Sequence, residues 1–312
     1  MFARAVIALL LLVATPAMAA DPSGLWAVRA GDKALFQFEL HHSAKGWAGV
    51  WVRPEHFVTD GDSFSTVTGP VIRRTSISAR VVDDSVELSF DDPRPGATPD
   101  IFRIHAIDAR HAEALYVGME MEPFALVREA EGTLIGPWDP QRSYVRQIDR
   151  PTNAEMTAIY DADQKARQNR QKIDWAVVRP ADEQRRIRTQ ALIDGGSLKS
   201  GDDFLHAAFV FQHGDKSEDY LKAHLLAMIA VARGKPAAIW IASATLDRYL
   251  QNIGQPQVLG TQYRTVDGKT TQDPYARTLL SDSLRQALRV PTLAEQEEQR
   301  RDYEREAATA RP

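Results

Sequence analysis

The residues best suited to chemistry are polar side chains embedded in apolar helical segments in the second half of the chain. His213 could act as a general acid or base, and Asp247 could orient its ring. An arginine can form paired hydrogen bonds to a carboxylate or phosphate. The sequence therefore predicts a polar pocket, with His213 and Asp247 as its catalytic candidates. The candidate ligand-binding residues are Asp163, Arg167, His206, Gln212, His213, Asp247, Arg248, Gln257, Thr261 and Gln262.

The sequence contains no motif that indicates a metal or cofactor site. His206 and His213 lie seven residues apart on one helix face, roughly 10.5 Å along the axis, which is too far for both to bind one zinc ion. The chain has no Cys. It also contains no G-x-S-x-G, H-E-x-x-H or P-loop sequence. We therefore predict no metal site and no cofactor, and the motifs define no reaction.

Capping signals and apolar periodicity predict the helices that must position these residues. A capping box at residues 152–155 starts the first helix, and its apolar stripe continues onto Asp163 and Arg167. This acid and base are either a buried pair or, if the helix leaves the core there, ordinary surface residues. Further helices are predicted over 182–194, 204–213, 220–233 and 236–250. Glycines and a proline then predict an irregular loop over 255–263.

The first half of the chain has the pattern of an antiparallel β structure. Short β-branched and aromatic runs recur at about ten-residue spacing between turn residues. The fold class is therefore α+β multidomain, with an N-terminal antiparallel β sandwich or small barrel followed by an all-α helical domain. The predicted divisions are a signal peptide over 1–20, the β domain over 21–130, a linker over 131–152, the helical domain over 153–293 and a charged tail over 294–312.

Composition and the N-terminus indicate a compartment and exclude one class of partner. The chain of 312 residues has a formal net charge of −4 and no basic block, so we expect no nucleic-acid binding. Arg4, an apolar run from Ala5 to Ala14 and the small residues Ala17 and Ala19 match a secretory signal cleaved near Ala19 or Ala20. We therefore expect a periplasmic or secreted protein that has no membrane segment after cleavage.

The helical half resembles an uncharacterised bacterial domain family. The resemblance lies in Asp163-x-x-x-Arg167, Gln212-His213, Asp247-Arg248 and Gln257-x-x-Gly260-Thr261-Gln262, over roughly residues 155–293. The family pattern has the order DQxxR, QH, DR and Q-x-GTQ, and Leu259 stands where the family usually has an aromatic residue. The resemblance implies a domain and a set of candidate residues. It implies no reaction.

A second, weaker likeness is to the helix pairs of Sel1 and tetratricopeptide repeats. Small residues at Ala207, Ala208, Ala223 and Ala230 would let two helices pack closely, and stacks of such pairs bind peptides or proteins. Only one unit is visible, whereas a solenoid needs about three. A helical domain with one such hairpin is the better interpretation.

Three functions remain open from the sequence. The first is a binding or interaction protein whose polar pocket takes a small molecule, peptide or protein of the cell envelope. The second is a cell-envelope hydrolase that uses His213 and Asp247. The third is a scaffold in which the polar residues form a structural network that docks the 255–263 loop on the helices.

Overall fold

A computed structural model describes residues 20–61, 63–169 and 173–309. The predicted signal peptide lies almost entirely outside these residues. Contacts divide the chain into two compact units, and the division falls after Arg146, within the predicted linker. Each unit has its own hydrophobic core.

The first unit is a closed antiparallel β-barrel. Its eight barrel strands are β1 (Gly24–Ala30), β2 (Lys33–Ser43), β3 (Gly46–Thr59), β4 (Ser63–Val82), β5 (Ser85–Phe90), β6 (Asp100–Ala106), β7 (His111–Tyr116) and β8 (Phe124–Glu129). Each strand pairs with the next along the chain, and β8 pairs with β1 to close the circuit. A short extra strand, β9 (Tyr144–Val145), pairs with the start of β4.

The prediction of a sandwich is therefore wrong: the strands form one sheet that closes on itself. Short alternating strands between turns are typical of both architectures, so their spacing could not distinguish them. Closure depends on pairing between the first and last strands and on bending of β3 and β4. Register shifts between Pro54 and His56 and between Ser76 and Ser78 mark bulges in these strands, which bend and twist a sheet.

Aromatic side chains fill the barrel interior. Phe38, Trp51, Phe90 and Phe102 are buried and their rings contact one another. Buried aromatic rings supply large apolar areas and specific edge or offset contacts. The outer face of the first strands is also covered, because Ile135 packs there against a second small apolar cluster. Part of the segment predicted as a linker therefore belongs to the barrel's packing.

The second unit is mainly helical. Its helices are α1 (Ala154–Lys165), α2 (Trp175–Asp194), α3 (Gly201–Phe211), α4 (Ser217–Ala232), α5 (Ala238–Asn252), α6 (Asp282–Ala287) and α7 (Leu293–Thr309). A hairpin of β10 (Arg264–Val266) and β11 (Lys269–Thr271) lies between α5 and α6, so the expectation of an all-α domain is wrong there. Among the described residues, no helix is long and apolar enough to cross a membrane.

Local sequence explains where the helices begin and how they pack. Asn153 caps α1 by accepting a hydrogen bond from the Met156 backbone, one residue later than the predicted cap at Thr152. Ser200 and Asp203 form a reciprocal capping box at α3. The core between α3, α4 and α5 is rich in alanine, and small side chains allow the helix backbones to approach closely.

Candidate functional site

Asp163 and Arg167 form a buried ion pair at the end of α1. Asp163 is 1% exposed, and Arg167 Nη1 lies 2.8 Å from its Oδ1. The second guanidinium nitrogen of Arg167 contacts Asp182 Oδ2 on α2 at 2.5 Å, and Arg185 contacts the other oxygen of Asp182 at 2.7 Å. Of the two possibilities left open by the sequence, the structure has the buried pair. Alternating charges compensate the cost of removing each ion from water.

His213 joins the same cluster through Asp163. Its Nδ1 lies 3.1 Å from Asp163 Oδ1, and its backbone carbonyl accepts a hydrogen bond from Arg186. A carboxylate at one ring nitrogen fixes the ring's orientation and leaves the other nitrogen for a ligand or proton. Within the described part of the chain, Nε2 of His213 has no hydrogen-bond partner. The imidazole is therefore oriented by Asp163.

Asp247, the predicted partner of His213, binds the loop that follows α5. It is 0% exposed, and its two carboxylate oxygens accept hydrogen bonds from the backbone N–H groups of Val258, Leu259 and Thr261 and from the Thr261 hydroxyl, at 2.8 to 3.0 Å. These four donors use the acceptor positions of the carboxylate. The predicted pairing of Asp247 with His213 is therefore wrong, and Asp163 is the carboxylate that contacts the imidazole.

The glutamines of the loop complete the same anchoring. Gln257 is fully buried; its amide donates to the carbonyls of Gln262 and Gln272, and its Oε1 accepts from the Gln262 backbone. Gln272 and Gln296, which the sequence interpretation did not single out, bind the carbonyls of Gly260 and Leu259. Their positions in unremarkable polar segments gave no signal. Most of the predicted loop residues therefore satisfy buried backbone groups.

Arg248 differs from Arg167 because it has no carboxylate partner among the described residues. Its Nη1 donates to the Gln212 carbonyl at 2.8 Å, and its Nε donates to Gln262 Oε1 at 3.2 Å. The guanidinium lies 5.7 Å from the centre of the Tyr220 ring. Burial lowers the pKa of Arg248 below its ordinary value, because a buried cation loses its hydration.

These residues meet at a cavity of about 360 Å³ in the helical unit. Gly214 lies in its wall, where a Cβ atom would approach the Cβ of Asp219 to 2.2 Å, so only glycine fits. Trp175 is 51% exposed and forms part of the rim. The cavity is lined by Arg167, Trp175, Arg179, Asp182, Gln212, His213, Gly214, Asp215, Tyr220 and Arg248.

The cavity includes four of the ten predicted site residues and several others. The four that line it are Arg167, Gln212, His213 and Arg248. Asp163 is not part of the lining, but its carboxylate contacts Arg167 and His213. The residues of α2 were not predicted, although Val178, Asp182 and Thr189 follow a helical spacing and are all buried. An acid within that stripe was the available signal.

His206 is separate from the lining residues. Its ring stacks on Tyr160, with centroids 4.1 Å apart and planes 8° from parallel. Burial lowers the pKa of His206. We find no group of His, Asp or Glu side chains suited to a metal ion in the ranges that the structure describes.

Comparison with known proteins gave no match. No family model, no curated protein and no solved structure matches it. The resemblance to an uncharacterised bacterial family, drawn from the spaced motifs, stays a prediction. The inference of function therefore depends on the chemistry of the cavity.

Proposed function

We propose that this chain is an exported binding protein whose helical unit binds a small anion bearing a carboxylate or phosphate group. Arg248 is the observation that carries the proposal. It is a partly buried guanidinium at a cavity wall, with neutral hydrogen-bond acceptors and no carboxylate partner among the described residues. An anion there would supply the missing charge, and arginine suits such ligands because it presents several donors in one plane.

The remaining lining residues agree with an anionic ligand. Arg179 is exposed at the rim, and Arg167 lines the cavity as part of the ion-pair cluster. With Arg248, the lining therefore has three arginines and two acids, Asp182 and Asp215. Asp182 is already neutralised by Arg167 and Arg185. A volume of about 360 Å³ also lies within the range of roughly 300–1,000 Å³ that small-molecule sites occupy.

Titration calorimetry with inorganic phosphate and with succinate tests this proposal. We expect at least one probe to bind the wild-type protein and Arg248→Met to weaken that binding about tenfold or more, because a charge-assisted contact is lost. Arg188→Met is the matched control, since Arg188 is exposed, pairs with Glu155 and lies outside the cavity lining. Equal binding by wild type and Arg248→Met, or binding of neither probe, would contradict the proposal.

Catalysis at the same cavity is the second candidate function. It is favoured by the geometry of His213, which lines the cavity and whose Nδ1 contacts Asp163. The lining contains no Ser, Thr, Cys or Lys among the residues described, so this dyad would activate water as the nucleophile. A hydrolase requires His213→Gln to abolish turnover while ligand affinity persists. A binding protein requires no turnover in the wild type.

A further inference from the structure

The barrel has a cavity of its own, which is small and lined mainly by aromatic side chains. Its volume is about 180 Å³. A cavity of about 150 Å³ with apolar walls is known to hold benzene, so the space suits a single six-membered ring. The lining is mainly aromatic and methionine side chains, with exposed acidic residues at the rim. It consists of Phe36, Trp51, Phe57, Thr59, Asp60, Gly61, Phe102, Tyr116, Met119, Glu120, Met121 and Phe124.

Two arginines from neighbouring strands lie against the Trp51 ring. Arg53 follows Trp51 by two residues on β3, so the two side chains share a face of the strand. Its guanidinium carbon lies 4.8 Å from the Trp51 ring centre and 5.2 Å from that of Phe57. Arg74 is directly opposite Trp51 on β4, at 5.3 Å from its ring centre. Both cations therefore border rings that line the cavity.

The two arginines differ in how their charge is balanced. Arg74 pairs with Asp100 at 2.5 Å and also donates to the carbonyls of Phe90 and Asp91. Tyr116 donates to the same Asp100. The side chain of Arg53 has neither a hydrogen bond nor a carboxylate partner among residues 20–61, 63–169 and 173–309. Burial, and then the neighbouring charge of Arg74, lower its pKa.

Three buried donors around the Trp51 ring lack acceptors in the described part of the chain. They are Trp51 Nε1, Arg53 Nε and Arg74 Nε. The large majority of buried side-chain polar groups are hydrogen-bonded, so a cluster of three around one ring calls for an explanation. All three are N–H donors, and two belong to cations. An acceptor would satisfy them, and one with negative charge would also balance the cation of Arg53, whereas a cation or a further donor would do neither.

We propose that the barrel is a second binding site, for a single-ring aromatic carboxylate whose ring enters the aromatic cavity and whose carboxylate binds Arg53. Asp60 and Glu120 at the rim oppose an anion only weakly. Both are exposed, and water and salt screen exposed charges. The carboxylate of Asp60 is also engaged by the Ser63 backbone and hydroxyl.

Three probes with the same ring and different charge test the site: benzoate, benzyl alcohol and benzylammonium. Calorimetric titration of the full-length mature protein should give benzoate the tightest binding, by about tenfold or more over benzyl alcohol, with benzylammonium weakest. Preferential binding of benzylammonium would overturn the proposal, since the aromatic lining and acidic rim would then define a cation site. Failure of benzoate to bind would overturn it as well.

Variants locate the site and separate it from the helical cavity. Arg53→Met should remove the preference for benzoate over benzyl alcohol, and Met121→Trp, which fills the cavity, should weaken both ligands. The matched control Arg80→Met changes an arginine that is 72% exposed on β4 and should leave binding unchanged. If Arg53→Met fails to fold, Met121→Trp and the wild-type preference decide the question.

The helical cavity provides the final control. Benzoate binding that survives Arg248→Met and falls to the level of benzyl alcohol in Arg53→Met supports the barrel site. Binding that is lost in Arg248→Met and survives Arg53→Met would overturn the barrel site, while it would support anion binding by the helical unit.

Discussion

The barrel and the helical unit bury their polar groups by different means. In the barrel, large aromatic rings fill the interior, and charged side chains such as Arg53 and Arg74 lie against ring faces. In the helical unit, alanines fill the helix interfaces. Buried acids such as Asp163 and Asp247 form networks there with arginines or with the backbone. Arg53 in the barrel and Arg248 in the helical unit both lack an anionic partner among the described residues. The cavity near Arg53 is lined mainly by aromatic rings and the cavity at Arg248 mainly by polar side chains, so the two would select different ligands.

Adjacent residues on α5 show the same contrast at smaller scale. Asp247 is an anion with four donors and no access to solvent, so it behaves as an anchor for the loop. Arg248 is a cation with two neutral acceptors beside a cavity. Buried charges that are fully compensated contribute to structure, whereas incompletely compensated charges beside a cavity are candidates for ligand binding.

The largest effect that this comparison predicts is that of Asp247→Ala. The substitution leaves three buried backbone N–H groups and one hydroxyl without their acceptor, so we expect a loss of about 3–5 kcal/mol in the free energy of unfolding. Urea denaturation followed by circular dichroism at a helix-sensitive wavelength measures this loss. Asp302→Ala is the control, because the side chain of Asp302 on α7 is 49% exposed. Similar midpoints for both variants would contradict the anchoring role.

The two arginines of the helical cavity should respond differently to the same substitution. Arg167→Met removes the cation between Asp163 and Asp182, so we expect a loss of about 3 kcal/mol, since buried carboxylates lose their compensation. Arg248→Met should change stability by less than about 1 kcal/mol, because it removes an isolated buried charge along with two neutral contacts. Urea unfolding of both variants provides the comparison. A larger loss for Arg248→Met would assign that residue to the structural network.

Much of the fold follows from local pattern, but its closure does not. Alternation and turn residues predict the strands, and caps with apolar periodicity predict most helices. A sandwich and a barrel differ in whether β1 pairs with β8, which is a contact between residues about 100 positions apart. Local propensity carries no information on such a pairing. The hairpin of β10 and β11 was missed because both strands are only three residues long.

The sequence predicted which residues belong to the candidate site, but it did not predict which residues they contact. Asp163, Arg167, His213 and Arg248 were found because they are polar residues within apolar helical stretches. The choice between Asp163 and Asp247 as the partner of His213 depends on how α1 and α3 pack, which spacing within one helix cannot reveal. Trp175 was missed because α2 was predicted to begin at Asp182, whereas it begins at Trp175.

The smallest predicted effect is the pH dependence contributed by His206. Burial lowers the pKa of His206 from its ordinary value of about 6.5, so the unfolded chain binds a proton at a pH where the folded chain does not. The contribution of neutral His206 to the free energy of unfolding is therefore fully present above about pH 6.5. It is lost as the pH falls towards the lowered pKa of the folded state. His206→Phe keeps an aromatic ring on Tyr160 and removes the titration. The urea midpoint of wild type should thus fall relative to His206→Phe as the pH decreases from 7 to 5, while that of the exposed control His41→Gln should follow wild type. Parallel curves for wild type and His206→Phe would show that protonation of His206 costs the fold nothing, and that its stack on Tyr160 tolerates the charge.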